Sequence, residues 1–407
     1  MRLLHVIGST EPESGGPIEA LLRISEVLLG YGHEVVVASL EPAEEAARRT
    51  FPFPVIGMGR GIGKYRYNPR LTRWLRQQAG NFDAVVLHGL WNYSSLGSWL
   101  ALRNSSTPYY IFAHGMLDPW FRAEYPVKHV AKQIFWSLGE GRVLRDAKNV
   151  FFTCEEEKIR ARNMFLGHQY KELVVRLGTV DPQGNAAAEK AAFSAAFPAL
   201  RGKRFLLYLS RIHPKKGCDL LIQAFAENIA HLPAEVELVV AGPDQIGWVP
   251  ELQAMAGKLG VASRIHWPGM LTGEVKWGAF RSADALILPS HQENFGFVVA
   301  EAMACAISVL VSDKVNIWRE VREAQAGLVE PDTADGIRNL IRRFYALSAD
   351  QHATMASCAR QGFVRYFDIE AAARDFASAI GFCTKNSLCS KCPDNCGVHC
   401  ARGFSNE

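Results

Sequence analysis

An α/β architecture of parallel sheets, with helices on both faces, follows from three features of the sequence. Short apolar runs recur, and each ends in a polar or glycine-bearing loop that leads into an amphipathic segment. The alternation starts at Leu3 and restarts at Arg204, so two similar units stand in tandem. The third feature is the stretch Ala285 to Ala304, which reads as strand, loop and helix and places Glu293 and Glu301 on either side of one turn. In open α/β sheets ligands sit beyond the carboxyl ends of the strands.

The chain has 407 residues, 48% hydrophobic and 21% charged, which suits a globular protein of two or three domains. No apolar run is long enough to span a membrane. Leu3 to Ile7 is too short for a signal-peptide core and reads as a first strand, so a cytoplasmic protein is expected. Residues 1–180 hold 22 basic against 17 acidic side chains, and the remainder holds 23 against 24. That asymmetry points the first half towards an anionic partner, a lipid headgroup or a phosphate-bearing acceptor, or else is an ordinary solvated surface. Nothing resembles a nucleic-acid-binding module.

In the first unit, a glycine-bearing loop follows Leu3–Ile7, and a helix opens at Pro17. Gly15 and Gly16 would let backbone amides approach a phosphate at that helix start. Residues 34–40 form strand two, and a basic run from Arg60 to Arg76 follows. Strands at 84–87 and 109–113 end in His88-Gly89 and His114-Gly115, so two His-Gly pairs reach one sheet edge. Val127 to Trp136 mixes basic and bulky apolar residues at helical spacing; it fits a membrane-surface helix or a core helix with a basic outer face. Strands at 149–152 and 174–177 follow, with Thr153 and Glu155 as a helix cap, and residues 178–202 read as a linker containing an alanine-rich helical stretch.

The second unit has strands at 204–209, 237–241, 265–267, 285–288 and 308–311, then helices from Asp332 to Ile380. The loop Ser210 to Gly217 carries Arg211 and Lys216 before a helix, two fixed cations plus unpaired N–H groups that suit a diphosphate. In the central stretch, residues 298, 299, 302 and 303 mark the packed helix face and leave Glu301 outside it. The amides of Asn294, Phe295 and Gly296 point to a polyhydroxylated or anionic ligand.

Ser210-Arg211-x4-Lys216 with its glycine, Gly242-Pro243-Asp244, and Glu293-Asn-Phe-Gly-Phe-Val-Val-Ala-Glu301 resemble the retaining GT-B glycosyltransferases of glycosyltransferase family 4 over roughly residues 1–380. Gly15-Gly16-Pro17 and His114-Gly115 fit the same pattern. The resemblance implies two Rossmann-like domains facing a cleft. Residues 1–180 would form the acceptor domain and 203–366 the donor domain, with 367–381 returning to the first. It implies a sugar, a hexose by expectation, moved from a nucleotide-diphosphate sugar to a glycan or lipid-linked acceptor in polysaccharide biosynthesis. Arg211 and Lys216 would neutralise the diphosphate, Glu301 would hold the ribose, and Glu293 would contact the sugar with the amides of Asn294, Phe295, Gly296 and Phe297. His114 would sit beside the reacting sugar, Gly16 would donate to the phosphate, and Gly242 would belong to the donor site. No Asp-x-Asp occurs, so no obligatory metal is expected.

Two departures qualify the resemblance. Family members carry Gly and Pro where this chain has Ala306 and Ser308, which leaves a degenerate, binding-only protein as the alternative. A dinucleotide oxidoreductase lacks its Gly-x-Gly-x-x-Gly after strand one. The tail, residues 382–407, holds Cys383, Cys389, Cys392, Cys396 and Cys400, which suit either a structural zinc or a reactive unstructured tail.

Overall fold

The computed structural model describes residues 1–11 and 15–382. The cysteine-rich tail lies outside the described residues. A seven-stranded sheet is built from β1 (Arg2–Ile7), β2 (Glu34–Ser39), β3 (Val55–Gly57), β4 (Ala84–His88), β5 (Tyr109–Phe112), β6 (Val150–Phe152) and β7 (Glu172–Val174). Its order is β3-β2-β1-β4-β5-β6-β7, and every pairing is parallel. A six-stranded sheet follows, from β8 (Arg204–Leu209), β9 (Val236–Ala241), β10 (Ile265–Gly269), β11 (Ala285–Leu288), β12 (Ser308–Ser312) and β13 (Gly327–Glu330). Its order, β10-β9-β8-β11-β12-β13, is again wholly parallel. Each sheet reverses direction of growth beside its first strand, between β1 and β4 and between β8 and β11, and such switch points open a crevice. β4 and β11 are buried at every residue, as strands covered by helices on both faces must be.

Several sequence expectations change. The seventh strand covers Glu172–Val174, not 174–177, although the Val175 amide still bonds the Phe152 carbonyl. Residues 178–202 are not a loose linker. Their helix, Ala186–Ala196, packs on Gly273–Ser282 of the second domain, and buried Glu189 pairs with Arg281 at 2.5 Å. The helix cap near Thr153 uses Cys154, while the Thr153 amide and hydroxyl both donate to Glu157 at 2.7 Å. Helix Pro126–Phe135 buries none of its residues, which removes the core-helix reading.

The closing helix, Ile369–Ala379, lies on the first helix, Gly16–Gly30. Phe376 stacks near His5 and Phe112, and Arg176 pairs with Asp375 at 2.5 Å, so the C-terminal segment finishes the core of the N-terminal domain.

Ala306 keeps the turn that a glycine would make. It has φ +56°, and the Ile307 amide bonds the Ala302 carbonyl as in a left-handed helix C-cap. A Cβ in that region is disfavoured by about 1–2 kcal/mol, partly offset by the greater unfolded-state freedom of glycine. Ala306→Gly is therefore expected to raise stability by about 1 kcal/mol in urea denaturation, and a loss of stability would show that the Cβ makes packing contacts worth more than the strain.

Candidate active site

The carboxyl ends of both sheets face one cavity of about 370 Å³. Its walls include Gly16 and His114 from the first domain and Arg211, Lys216, Glu293, Asn294, Phe295, Gly296 and Phe297 from the second. Gly242 and Glu301 do not line it. Gly242 lies under the Ser210 loop, where a Cβ would meet the Ser210 carbonyl at 1.7 Å, so it supports the loop from below.

Lys216 is the last residue of a one-turn 3-10 helix, Pro214–Lys216, which His213 caps by accepting from the Lys215 amide. Gly217 follows at φ +67°, where a Cβ would strike the Pro289 carbonyl at 2.3 Å. This close approach carries Lys216 against the Glu293 loop. Only 5% of Lys216 is exposed, and its Nζ lies 2.5 Å from Glu293 Oε2 and 3.3 Å from the Gln292 carbonyl. Glu293 is held through its backbone by Lys314 and Asn316. Arg211 is exposed; among the described residues its guanidinium bonds Gln245 alone, at 3.4 Å, which leaves it open to the cavity. Among the described residues, the amides of Asn294, Phe295, Gly296 and Phe297 have no acceptor, and Gly296 starts helix Phe297–Ala304 at φ +79°. Two cations and a row of open donors at a helix start form an anion-binding surface.

The expectation for Glu301 needs correction. It does not lie outside the packed surface. Both sides of helix Phe297–Ala304 are covered, and Glu301 is 1% exposed. Its carboxylate meets Arg23 Nη2 at 2.9 Å and Lys276 Nζ at 2.7 Å. Arg23 belongs to the first helix, so this contact crosses the cleft; Arg23 also bonds Glu19 and lies 5.2 Å over the Phe297 ring. Burial opposes the charge on Arg23, but Glu301 and then Glu19 more than offset it and raise its pKa. Nothing in the sequence marks Arg23, because its partner is far along the chain.

The two His-Gly pairs meet side by side. His88 Nδ1 is 2.9 Å from His114 Nε2, and His88 Nε2 is 2.8 Å from Nδ1 of His5, a residue that reads as ordinary strand from the sequence. Burial pushes His5 and His114 down to about 3 and His88 well below its usual value, so all three are neutral at neutral pH. His114 has φ +49°, and Gly115 beside it leaves room for the Asn294 side chain, which a Cβ there would meet at 2.8 Å. The first domain thus touches the central loop of the second directly.

A second cavity, about 270 Å³, adjoins the first along Pro17 and Met116. Ser9, Lys64, Arg66 and Asn92 line it, and among the described residues no acidic one does.

The arrangement matches known proteins. Residues 15–178 match the family pattern described as a glycosyl transferase 4-like domain, and residues 190–361 match that of glycosyl transferases group 1. The chain is similar to a D-inositol 3-phosphate glycosyltransferase of Geodermatophilus obscurus, 29% identical over 71% of this chain and 68% of that one. It is also similar to a phosphatidyl-myo-inositol mannosyltransferase of Mycolicibacterium smegmatis, 29% identical over 79% of both chains. Anabaena HepE, solved with UDP-glucose, superposes with a TM-score of 0.74 at 18% identity, covering 93% of this chain and 99% of that one, which speaks for the fold. With both halves matched and two parallel sheets closing on one cavity, the chain belongs to the group 1 glycosyltransferases of glycosyltransferase family 4, sugar-transferring enzymes of the GT-B fold.

Proposed function

We propose that this enzyme moves a hexose, with retention of configuration, from a nucleotide-diphosphate sugar to a phosphate-bearing lipid-linked or glycan acceptor in cell-envelope polysaccharide synthesis. The observation that carries the donor side is Lys216 and Arg211 beside the unpartnered amides of residues 294–297 in one cavity. As the glycosidic bond breaks, charge grows on the leaving diphosphate, and these fixed donors stabilise it without reorganising. Glu293 orients the sugar hydroxyls as an acceptor. The acceptor attacks on the leaving-group face, and the departing phosphate oxygen takes its proton. No metal is required in this scheme, because the cations of the loop serve the diphosphate.

Lys64 and Arg66, without an acidic neighbour among the described residues of the second cavity, favour an anionic acceptor. Two relatives carry phosphate-bearing inositols in their names, which supports that class. Helix Pro126–Phe135 favours work at the inner membrane face. Val127, Val130 and Ile134, then Leu138, form an exposed apolar stripe (84%, 62%, 60% and 67% exposed), with exposed Lys128 on the same helix. No helix among the described residues is long and apolar enough to cross a membrane.

A thermal-shift panel of UDP-, GDP- and ADP-sugars tests the donor site. A ligand at about 100 times its Kd stabilises the folded state by about 2.7 kcal/mol. One nucleotide class should raise the melting temperature of the wild type, and Lys216→Ala should lose that shift. No shift with any of them at millimolar concentration would overturn the donor-site reading.

A further inference from the structure

We propose that His5 and His88 are positioning residues that hold His114 in its Nδ1–H form, so that its ring offers a hydrogen-bond donor, not a base, to the cleft. The proposal rests on the sugar-transfer reading of the same cavity. The three rings form one line from the domain core to the cavity wall: His5 to His88 at 2.8 Å, His88 to His114 at 2.9 Å. The His88 and His114 ring planes are within 18° of parallel with centroids 5.2 Å apart, and the 2.9 Å separation of His88 Nδ1 from His114 Nε2 joins them edge to edge.

A neutral imidazole has one N–H and one bare nitrogen. His88 uses both nitrogens, so it donates to one neighbour and accepts from the other. The two hydrogen bonds must therefore run in the same direction, and the three tautomers switch together. In the outward arrangement His5 Nδ1–H donates to His88, His88 Nδ1–H donates to His114 Nε2, and His114 keeps its proton on Nδ1. In the inward arrangement His114 Nδ1 is bare and His5 carries its proton on Nε2.

The far end of the line chooses between them. His5 Nε2 is buried without a partner among the described residues, and the Phe376 ring of the closing helix stacks on its imidazole. Orphaned buried N–H groups are rarer in folded proteins than under-used acceptors, so the proton does not sit on His5 Nε2 and the outward arrangement wins. Protonating the line is opposed by burial at all three rings. A donor from His114 suits a sugar hydroxyl or a departing phosphate oxygen; a bare nitrogen would suit proton removal from the acceptor.

Long-range ¹H–¹⁵N correlation spectra of the full chain read the tautomers directly, with assignments from single His→Asn variants. His88 and His114 should both show a protonated Nδ1 and a bare Nε2, unchanged across the pH range in which free histidine titrates. A proton on His114 Nε2, or an imidazolium, overturns the proposal. A variant pair reads the consequence. His5→Asn places an amide where Nδ1 was and still donates to His88, so kcat should stay within a few-fold. His5→Asp only accepts when its carboxylate is ionised, which reverses the line, so at a pH where it is ionised kcat should fall about 10²-fold, the usual effect of losing one aligned donor, with donor KM little changed. Equal kcat in the two variants overturns the proposal. If His5→Asp does not fold, the wild-type spectrum still decides. Wild-type spectra as expected, with no nucleotide sugar hydrolysed or transferred, would sink the transfer reading alone.

Discussion

Lys216→Ala is expected to lower kcat for sugar transfer by about 10²–10³-fold, the range seen when one preorganised charge-stabilising donor is removed. Lys216 is 5% exposed and its ammonium is anchored by Glu293 and the Gln292 carbonyl, so it keeps its position before the diphosphate arrives. Removing it also leaves Glu293 facing the cavity without its cation, which repels an incoming anion. Donor KM should therefore rise as well as kcat fall. Steady-state kinetics of donor hydrolysis or transfer would show the split. A variant with wild-type kcat would mean that Arg211 and the open amides carry the leaving group alone.

Glu301→Gln is expected to cost about 3 kcal/mol of stability, because breaking a buried ion pair by removing one partner strands the other charge. Here two cations, Arg23 and Lys276, meet one carboxylate whose side chain is 2% exposed. Urea denaturation would measure the loss. Adding Arg23→Met to Glu301→Gln should recover part of it, since the stranded guanidinium is then gone. If the single variant is as stable as the wild type, solvent reaches the pair and the helix is less covered than its burial indicates. The pair also bears on the donor. A ribose that uses Glu301 must compete with Arg23, so Arg23→Met alone is expected to tighten nucleotide binding while loosening the contact between domains.

Features with a local signature were legible in the sequence. β4 and β11 announce themselves as unbroken apolar runs, since strands covered on both faces can carry nothing else. Lys216 and Glu293 stand in loops bounded by glycine, and both line the cavity. Features that depend on distant pairing were hidden. β3 and β13 are short, half-buried strands at the sheet edges, without alternation or length to mark them. Glu301 reads as outward from its own helix, because the second covering surface comes from Arg23 in the other domain. His5 sits in an apolar strand and gains meaning only when β4 brings His88 beside β1. The helix Ala186–Ala196 looks like a linker because alanine hides which side is packed.

The closing helix has a consequence for how the chain is made. Phe376 covers the N-terminal domain beside His5, Phe112 and Phe151, yet it is translated after the whole donor domain. At about 5–20 residues per second, roughly 200 residues separate the end of the first sheet from its last covering helix by about 10–40 s of synthesis. During that interval the nascent N-terminal half exposes an aromatic face at the ribosome, a natural place for a chaperone to hold. A stop codon between β13 and the closing helix would leave the donor domain with all its strands and the acceptor domain permanently uncapped.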